Sequence, residues 1–204
     1  LLNKKEPGAA IKFSLKKAIQ KLGPTGFPFE KYVAAIFRNA GFEIKINQYL
    51  QGLCLKYEID FYGQKKDLLY IGECKYRNLL QEGVIHSNIA LANFARFLDI
   101  KDGNFVKQEK FKNCEIKTIL VTNAKFSLDA IKFSLCKNID LLGWRYPQDK
   151  GLEYFIETKN LYPITILSSL NKELADIFVS ENIMLVKDLL KLNINKFSKE
   201  MKIP

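Results

Sequence analysis

Hydrophobic residues recur at helical spacing in two segments near the start of the chain. Residues 9–22 and residues 28–40 each carry an apolar residue every three or four positions, which predicts two amphipathic helices. The glycine- and proline-rich residues 23–26 separate these helices, and Gly41 stands where a helix-ending glycine is favoured. The chain is therefore expected to open with a helical pair.

Three segments of strand-like alternation follow, and after them helices and strands alternate. A polar loop over residues 63–67 is predicted to join the second and third strands as a hairpin. The segments in order are strands at 42–50, 53–62 and 68–76, a helix at 84–98, a strand at 115–123, a helix at 127–138 and a strand at 139–144. This order combines a meander with βαβ crossovers, which predicts an α/β fold with a mixed sheet flanked by helices.

Only helical periodicity continues beyond Pro147, and the last two helices form a helix-hairpin-helix candidate hinged near Asn182. We predict three parts: a basic N-terminal helix and linker at 1–23, a sheet-containing domain at 24–146 and a small helical C-terminal subdomain at 147–204. The glycine-free hairpin and the balanced charge of this last part favour an accessory or dimerising unit over one that binds DNA.

The counts of histidine and cysteine exclude several chemistries. His86 is the single histidine, which rules out sites that need two histidines from one chain. The four cysteines lie far apart without a CxxC pair, so we expect no zinc site and reduced thiols in a cytoplasmic protein. No segment reaches the roughly 18 uncharged apolar residues of a membrane span, so no membrane partner is expected.

The formal net charge is +10, from 32 Lys and Arg against 22 Asp and Glu. Residues 1–23 and 24–146 contribute +5 each, whereas residues 147–204 are neutral. A basic front and middle favour a polyanionic partner, because each neutralised phosphate releases counterions. The abundance of Lys beside Ile and Asn also fits an AT-rich genome, so charge alone leaves both interpretations open.

Three Glu-x-Lys pairs occur in the sequence, where about two are expected by chance. Only Glu73-Cys74-Lys75 is preceded, across a short hairpin, by a strand that contains acidic residues, namely Glu58 and Asp60. Strand alternation places Glu73 and Lys75 on one face and leaves the backbone carbonyl of Cys74 near the carboxylates. Carboxylate and carbonyl oxygens are the ligands Mg²⁺ prefers, and a lysine beside them can orient water. The alternative is a half-exposed hairpin with cross-strand salt bridges.

Three segments of this region, FEKYVAAIFRNAGFEI, YEIDFYG and LLYIGECKYR, resemble the Mrr-type restriction endonucleases of the PD-(D/E)xK phosphodiesterase superfamily. The resemblance covers more than half of the chain and implies a restriction-endonuclease-like core. It implies that Asp60 and Glu73 hold Mg²⁺, with Mn²⁺ as a substitute, and that Lys75 is the catalytic lysine. Glu30 matches a helix position that supports the metal or its water. The superfamily's proline before the aspartate is absent, and of the glutamines that follow the lysine in many members only Gln81 is near.

The resemblance also implies partners. Related enzymes act on DNA and many cut as dimers, so we expect a DNA substrate and a homodimer. Arg96 is expected either to clamp a phosphate or to pair with Asp99 three positions on. The segment before residue 24 is similar to the linker that follows an ATP-cone domain in some relatives, which implies that such a nucleotide-sensing domain precedes it in a longer protein. The candidate DNA contacts are Arg77, Lys56, His86, Lys16 and Lys17.

These features together predict a Mg²⁺-dependent endonuclease of restriction type that hydrolyses DNA phosphodiester bonds, with water as the nucleophile. Two alternatives stay open. The first is a catalytically silent DNA-binding or regulatory module on the same fold. The second is a structural domain that binds a protein partner. Such a domain is not expected to bind DNA with a steep dependence on salt.

Overall fold

A computed structural model describes residues 15–22, 27–78 and 83–201 of the 204-residue chain. The part of the first predicted helix before residue 15, and Gln81, lie outside these residues. The helices are α1 (15–20), α2 (Phe27–Asn39), α3 (Ser87–Asp102), α4 (Leu128–Cys136), α5 (Leu152–Thr158), α6 (Lys172–Ser180), α7 (Val186–Leu189) and α8 (Ile194–Met201). The strands are β1 (Glu43–Gln51), β2 (Lys56–Lys65), β3 (Leu68–Lys75), β4 (Val84–Ile85), β5 (Glu115–Thr122), β6 (Lys125–Phe126) and β7 (Asp140–Leu142).

Five of these strands form one sheet in the order β1-β2-β3-β5-β7. The β1-β2-β3 meander is antiparallel, and β5 and β7 then add in parallel after crossovers through α3 and α4. β4 and β6 make a separate two-stranded parallel pair. The predicted α/β class, with a mixed sheet flanked by helices, is confirmed.

Apolar clusters cover both faces of the sheet. The α2 face packs Phe29, Val33 and Phe37 with strand residues such as Phe61. The α3 face packs helix residues such as Phe97 and Ile100 against Leu50, Ile59, Leu69 and Ile71. A third cluster on that side seats α4 against β5 and β7. Two buried layers therefore enclose the strands, and polar side chains inside them need partners.

Several element boundaries differ from the sequence predictions, and two of the differences have a clear cause. The predicted loop over residues 63–67 is wrong, because Lys65 pairs with Leu68 and only Lys66 and Asp67 form the turn. Gly63 stays in the strand, where the side chain of Ile44 lies against it. The helix predicted from residue 84 begins at Ser87, since Val84 and Ile85 are drawn into the small parallel pair.

The C-terminal helices pack against α1 and α2. The buried Tyr32 hydroxyl donates to the carbonyl of Leu161 at 2.8 Å, and the ammonium of Lys31 donates to the carbonyl of Val179 at 2.8 Å. α5 joins the main core through fully buried Leu152. Residues after 147 are thus integrated with the sheet-containing part, while the predicted three-part division stays a prediction.

Candidate active site

The acidic strand breaks its own alternation at Asp60. Ile59 packs on the α3 face, whereas Phe61, two positions later, packs on the α2 face. On the neighbouring strand β1, Asn47 lies between the residue paired with Phe61 and the residue paired with Ile59. Asn47 has a φ of 51°, in the left-handed region. Strict alternation would put Ile59 and Phe61 on the same side, so β2 departs from it at this point. The switch of faces sets the Asp60 side chain at the border between them.

Strands β2 and β3 separate at the same point. Their pairing begins at Lys65 with Leu68 and ends at Phe61 with Gly72. Beyond it, Oδ2 of Asp60 accepts the N–H of Cys74 at 2.6 Å, so a side chain satisfies a donor that the ladder no longer pairs. A Cβ on Gly72 would lie 2.1 Å from the Phe61 ring, so the close approach of the two strands requires glycine there. Asp60 is thereby fixed beside the end of β3.

Glu73 is buried on the α3 face and bound by two cations. Its Oε1 lies 2.5 Å from Nζ of Lys75, and its Oε2 lies 2.7 Å from Nη2 of Arg96 on α3. Glu73 is only 4% exposed, whereas the Lys75 side chain is 34% exposed and can reach solvent. The glutamate is therefore held rigidly, and the lysine next to it is accessible.

The contact between Arg96 and Glu73 is the part of this cluster that the sequence did not predict. Of the two alternatives for Arg96, a phosphate clamp or a pair with Asp99, the pair is not formed, because Asp99 accepts the N–H groups of Cys54 and Leu55 at 2.9 and 3.1 Å. Arg96 is thereby left to reach Glu73. The contact could have been predicted from the position of Arg96 on α3 only if this helix were already known to cross β3 beside Glu73.

Negative charge accumulates around these residues. Burial, followed by the charge of Glu73, raises the pKa of Asp60 from 3.8 to about 6, although the Cys74 N–H and the nearby cations oppose the rise. Burial and the charges of Asp60 and Glu73 raise the pKa of Glu30, on α2, from 4.5 to about 7. Glu58 adds to the field at Glu30. The acids therefore repel one another despite Lys75 and Arg96, a situation that a cation would relieve.

The acidic side chains of the site offer oxygen donors, which Mg²⁺, Ca²⁺ and Mn²⁺ all accept. Within residues 15–22, 27–78 and 83–201, no three His, Cys, Asp or Glu side chains converge as a ready metal-binding group. Mg²⁺ uses one or two carboxylates and keeps several waters, so the Asp60 and Glu73 carboxylates meet its need for hard oxygen ligands. The third predicted ligand is the backbone carbonyl of Cys74. The side chain of this residue is buried, and its N–H is bonded to Asp60.

The predicted DNA contacts are spread around the site. Arg77 follows β3, and the amide side chain of Asn123 bonds both its N–H and its carbonyl, at 2.7 and 2.8 Å. His86 is exposed just before α3, and Lys56 is exposed with its ammonium 5.4 Å from the centre of the Tyr49 ring. The structure does not bring these last two side chains into the acidic cluster by any bond.

The basic first helix lies near the carboxyl ends of β3 and β5. Lys16 and Lys17 are exposed on α1, and Lys16 lines a cleft of about 210 Å³ together with Asn123 and Lys125. Lys16 of α1 and Lys125 of β6 therefore line one cleft, and its Asn123 also holds the backbone of Arg77.

Comparisons with known proteins extend this description. The fold and site define an α/β protein in which two carboxylates and a lysine meet where two strands part. An uncharacterized protein from Archaeoglobus fulgidus is 35% identical over 159 residues, covering 77% of this chain and 83% of that protein. Residues 162–204 match the family model described as AF1548-like, C-terminal. The chain therefore belongs to the AF1548-like family.

Two solved structures are similar to this one. The crystal structure of AF1548, a protein described as of unknown function, has a TM-score of 0.72 at 32% identity, covering 86% of this chain and 88% of that chain. The MspJI restriction endonuclease, solved with a 27-mer oligonucleotide, has a TM-score of 0.49 at 14% identity, covering 88% of this chain and 36% of that one. In the part of the chain described, no helix is long and apolar enough to cross a bilayer.

Proposed function

We propose that this protein is a Mg²⁺-dependent endonuclease of the Mrr-like restriction type, which hydrolyses phosphodiester bonds of DNA. One observation carries the proposal: Asp60, Glu73 and Lys75 meet where β2 and β3 separate, and a third acid, Glu30, lies in the field of both carboxylates, within a protein of net charge +10. A local acidic site on a basic molecule suits a divalent cation and a polyanionic substrate together.

Each residue has a role that its environment supports. Asp60 and Glu73 would hold the metal ion, and the Cys74 N–H keeps the Asp60 carboxylate oriented. The chemistry that a bound Mg²⁺ supplies is neutralisation of phosphate charge and a lower pKa for water. Lys75 is accessible and can donate to a water or to a phosphate oxygen as charge develops. Glu30, whose pKa is raised to about 7, can accept a proton from water near neutral pH.

Cleavage of supercoiled plasmid in Mg²⁺ or Mn²⁺ tests the proposal. Wild type should nick or linearise the plasmid, and EDTA should stop the reaction. Lys75→Ala should lower the rate by roughly a hundredfold or more. The matched control is Lys117→Ala, because Lys117 belongs to a second Glu-x-Lys pair, with Glu115 at 3.4 Å on the adjacent strand.

The register places the control pair far from the site. Lys75 is level with Thr122, five residues beyond Lys117 on β5, or roughly 16 Å along the strand. Equal loss of nicking in Lys75→Ala and Lys117→Ala would contradict the assigned role of Lys75. Absence of nicking by wild type in both metals would contradict the enzymatic proposal itself.

A catalytically silent DNA-binding module is the second candidate, and one observation favours it. Both oxygens of Glu73 are already bound by cations, so a metal ion has to displace Lys75 or compete with Arg96. This candidate predicts DNA binding that weakens steeply with salt in the absence of nicking. Fluorescence anisotropy with a labelled duplex at 50 and 200 mM salt, run beside the plasmid assay, distinguishes the two candidates.

The remaining partners belong to the same proposal. Two copies of the site would allow both strands of a duplex to be cut in one encounter, so we propose a homodimer, to be checked by analytical ultracentrifugation with and without DNA. The four cysteines are all unpaired thiols, which suits the reducing cytoplasm proposed for this protein. A preceding ATP-cone domain is proposed only from the similarity of the first residues to a linker in relatives.

A further inference from the structure

A cavity of about 510 Å³ opens on the α2 face of the sheet, beside the edge strand β7. Tyr70 of β3 lines it and lies on the same face as Gly72 and Cys74, whereas Glu73 points to the α3 face. The cavity is therefore separate from the candidate active site. Its walls are mainly apolar and include five aromatic rings: Phe37, Phe42, Tyr70, Tyr146 and Phe155.

One wall of the cavity holds a hydroxyl without a partner. Ser134 of α4 is 0% exposed. Its Oγ is buried and has no hydrogen-bond partner among the described residues. A buried polar group of this kind is costly unless a bound molecule satisfies it. Ser134 is among the residues that line the cavity, and a turn of its side chain toward the cavity would let a ligand supply the missing partner.

A carboxylate lines the same cavity. Asp140 of β7 lines the cavity, and its Oδ2 accepts the hydroxyl of Tyr70 at 2.5 Å. Burial and the bond to Asp140 raise the pKa of Tyr70, so the phenol stays a donor at physiological pH. That bond fixes the carboxylate and leaves its other oxygen able to accept from a ligand.

We propose that this cavity binds a small aromatic heterocycle of the nucleobase type, with its N–H groups donating to Asp140 and its polar edge meeting Ser134. Aromatic side chains in the cavity wall favour a flat heterocycle over an aliphatic ligand. The volume lies within the range of small-molecule sites, in which a few polar groups fix orientation inside apolar walls. A purely apolar molecule would leave Ser134 unsatisfied. This site is independent of the nuclease proposal, since it uses none of the same side chains.

Isothermal titration calorimetry of the full chain with adenosine, guanosine and cytidine tests the inference. At least one of them should bind with a dissociation constant below about 1 mM. Asp140→Asn should weaken binding at least about tenfold, and Ser134→Ala by a smaller factor, because the charged acceptor makes the stronger bond. Asp129→Asn, on the exposed first turn of α4, is the matched control and should bind as wild type does. Circular dichroism verifies that each variant is folded.

Several outcomes would overturn the inference: no binding of any nucleoside at 1 mM, wild-type affinity in both cavity variants, or binding of toluene in place of the nucleosides. Lys75→Ala should retain nucleoside binding whether or not the protein cleaves DNA, which separates this test from that of the proposed function. Competition with a short single-stranded oligonucleotide distinguishes the source of the base. Displacement of the nucleoside points to a base within a strand, and its absence points to a free nucleoside.

Discussion

Replacement of Asp60 by Asn should stabilise the fold while abolishing the proposed activity. Asn can still accept the N–H of Cys74 through its amide oxygen, so the bond that orients position 60 is kept. What the substitution removes is a charge that the folded state disfavours. Burial and Glu73 raise the pKa of Asp60 from 3.8 to about 6. Ionisation of Asp60 therefore opposes folding.

The magnitude follows from this pKa. A difference of about two pH units corresponds to roughly 3 kcal/mol, and about 2 kcal/mol is a fair expectation for a group that solvent still reaches. Below pH 3.8 the carboxyl is protonated in both states and costs nothing. The loss of stability grows as the pH rises and is complete above about 6. Asn carries no charge and does not lose stability in this way. The variant should therefore be more stable than wild type near neutral pH but not at acidic pH.

Urea unfolding of wild type and Asp60→Asn in EDTA, at pH 4 and pH 7.5, measures this difference. At pH 7.5 the variant should gain about 2 kcal/mol in the free energy of unfolding, or roughly 4–8 °C in Tm for a chain of this size. Asp67→Asn, in the exposed turn between β2 and β3, is the control and should show little change. A variant no more stable than wild type at pH 7.5, or equally stabilised at pH 4, would refute the electrostatic reasoning.

Three further expectations concern the same region. Millimolar Mg²⁺ should raise the Tm of wild type but not of Asp60→Asn, because only the intact carboxylate pair gains by mass action; equal shifts by thermal melting would argue against a site there. Gly72→Ala should cost about 1–3 kcal/mol in urea unfolding, since the new Cβ meets the buried Phe61 ring; unchanged stability would mean that the ring can move aside. Asn93→Ala should cost about 1–3 kcal/mol by the same measurement, because Asn93 donates to the buried Thr118 hydroxyl at 3.0 Å; a neutral effect would show that this bond contributes nothing.

The sequence was sufficient for the order of elements because their periodicities are local. The stripe of α2 and the alternation of β3 are set by neighbours within a few residues, and both elements form where predicted. The change of face at Asp60 is different. It depends on Asn47 in the partner strand adopting a positive φ, and no pattern within β2 announces this. Strand alternation therefore predicts the right residues but the wrong local geometry.

The candidate site was predictable only as far as the hairpin that contains it. Asp60, Glu73 and Lys75 are close in sequence, so their proximity follows from pairing of β2 with β3. Arg96 reaches Glu73 from a helix more than twenty residues later, across a contact that depends on helix packing. The predicted roles of these residues stay predictions, because geometry brings the groups together without showing what they bind.

Lys31 and Glu30 are neighbours on α2 but face different surroundings. The ammonium of Lys31 donates to the carbonyl of Val179 near the end of α6, while the carboxyl of Glu30 lies in the field of Asp60 and Glu73. One helix thus ties the tail of the protein to its acidic centre. Shortening the chain before α6 would remove the Val179 and Ser180 carbonyls that accept from Lys31, a residue only 8% exposed, and would loosen the hold on α2. Truncation of these C-terminal helices is consequently a perturbation of Glu30, and a shortened chain is no neutral substitute for the intact protein in any activity assay.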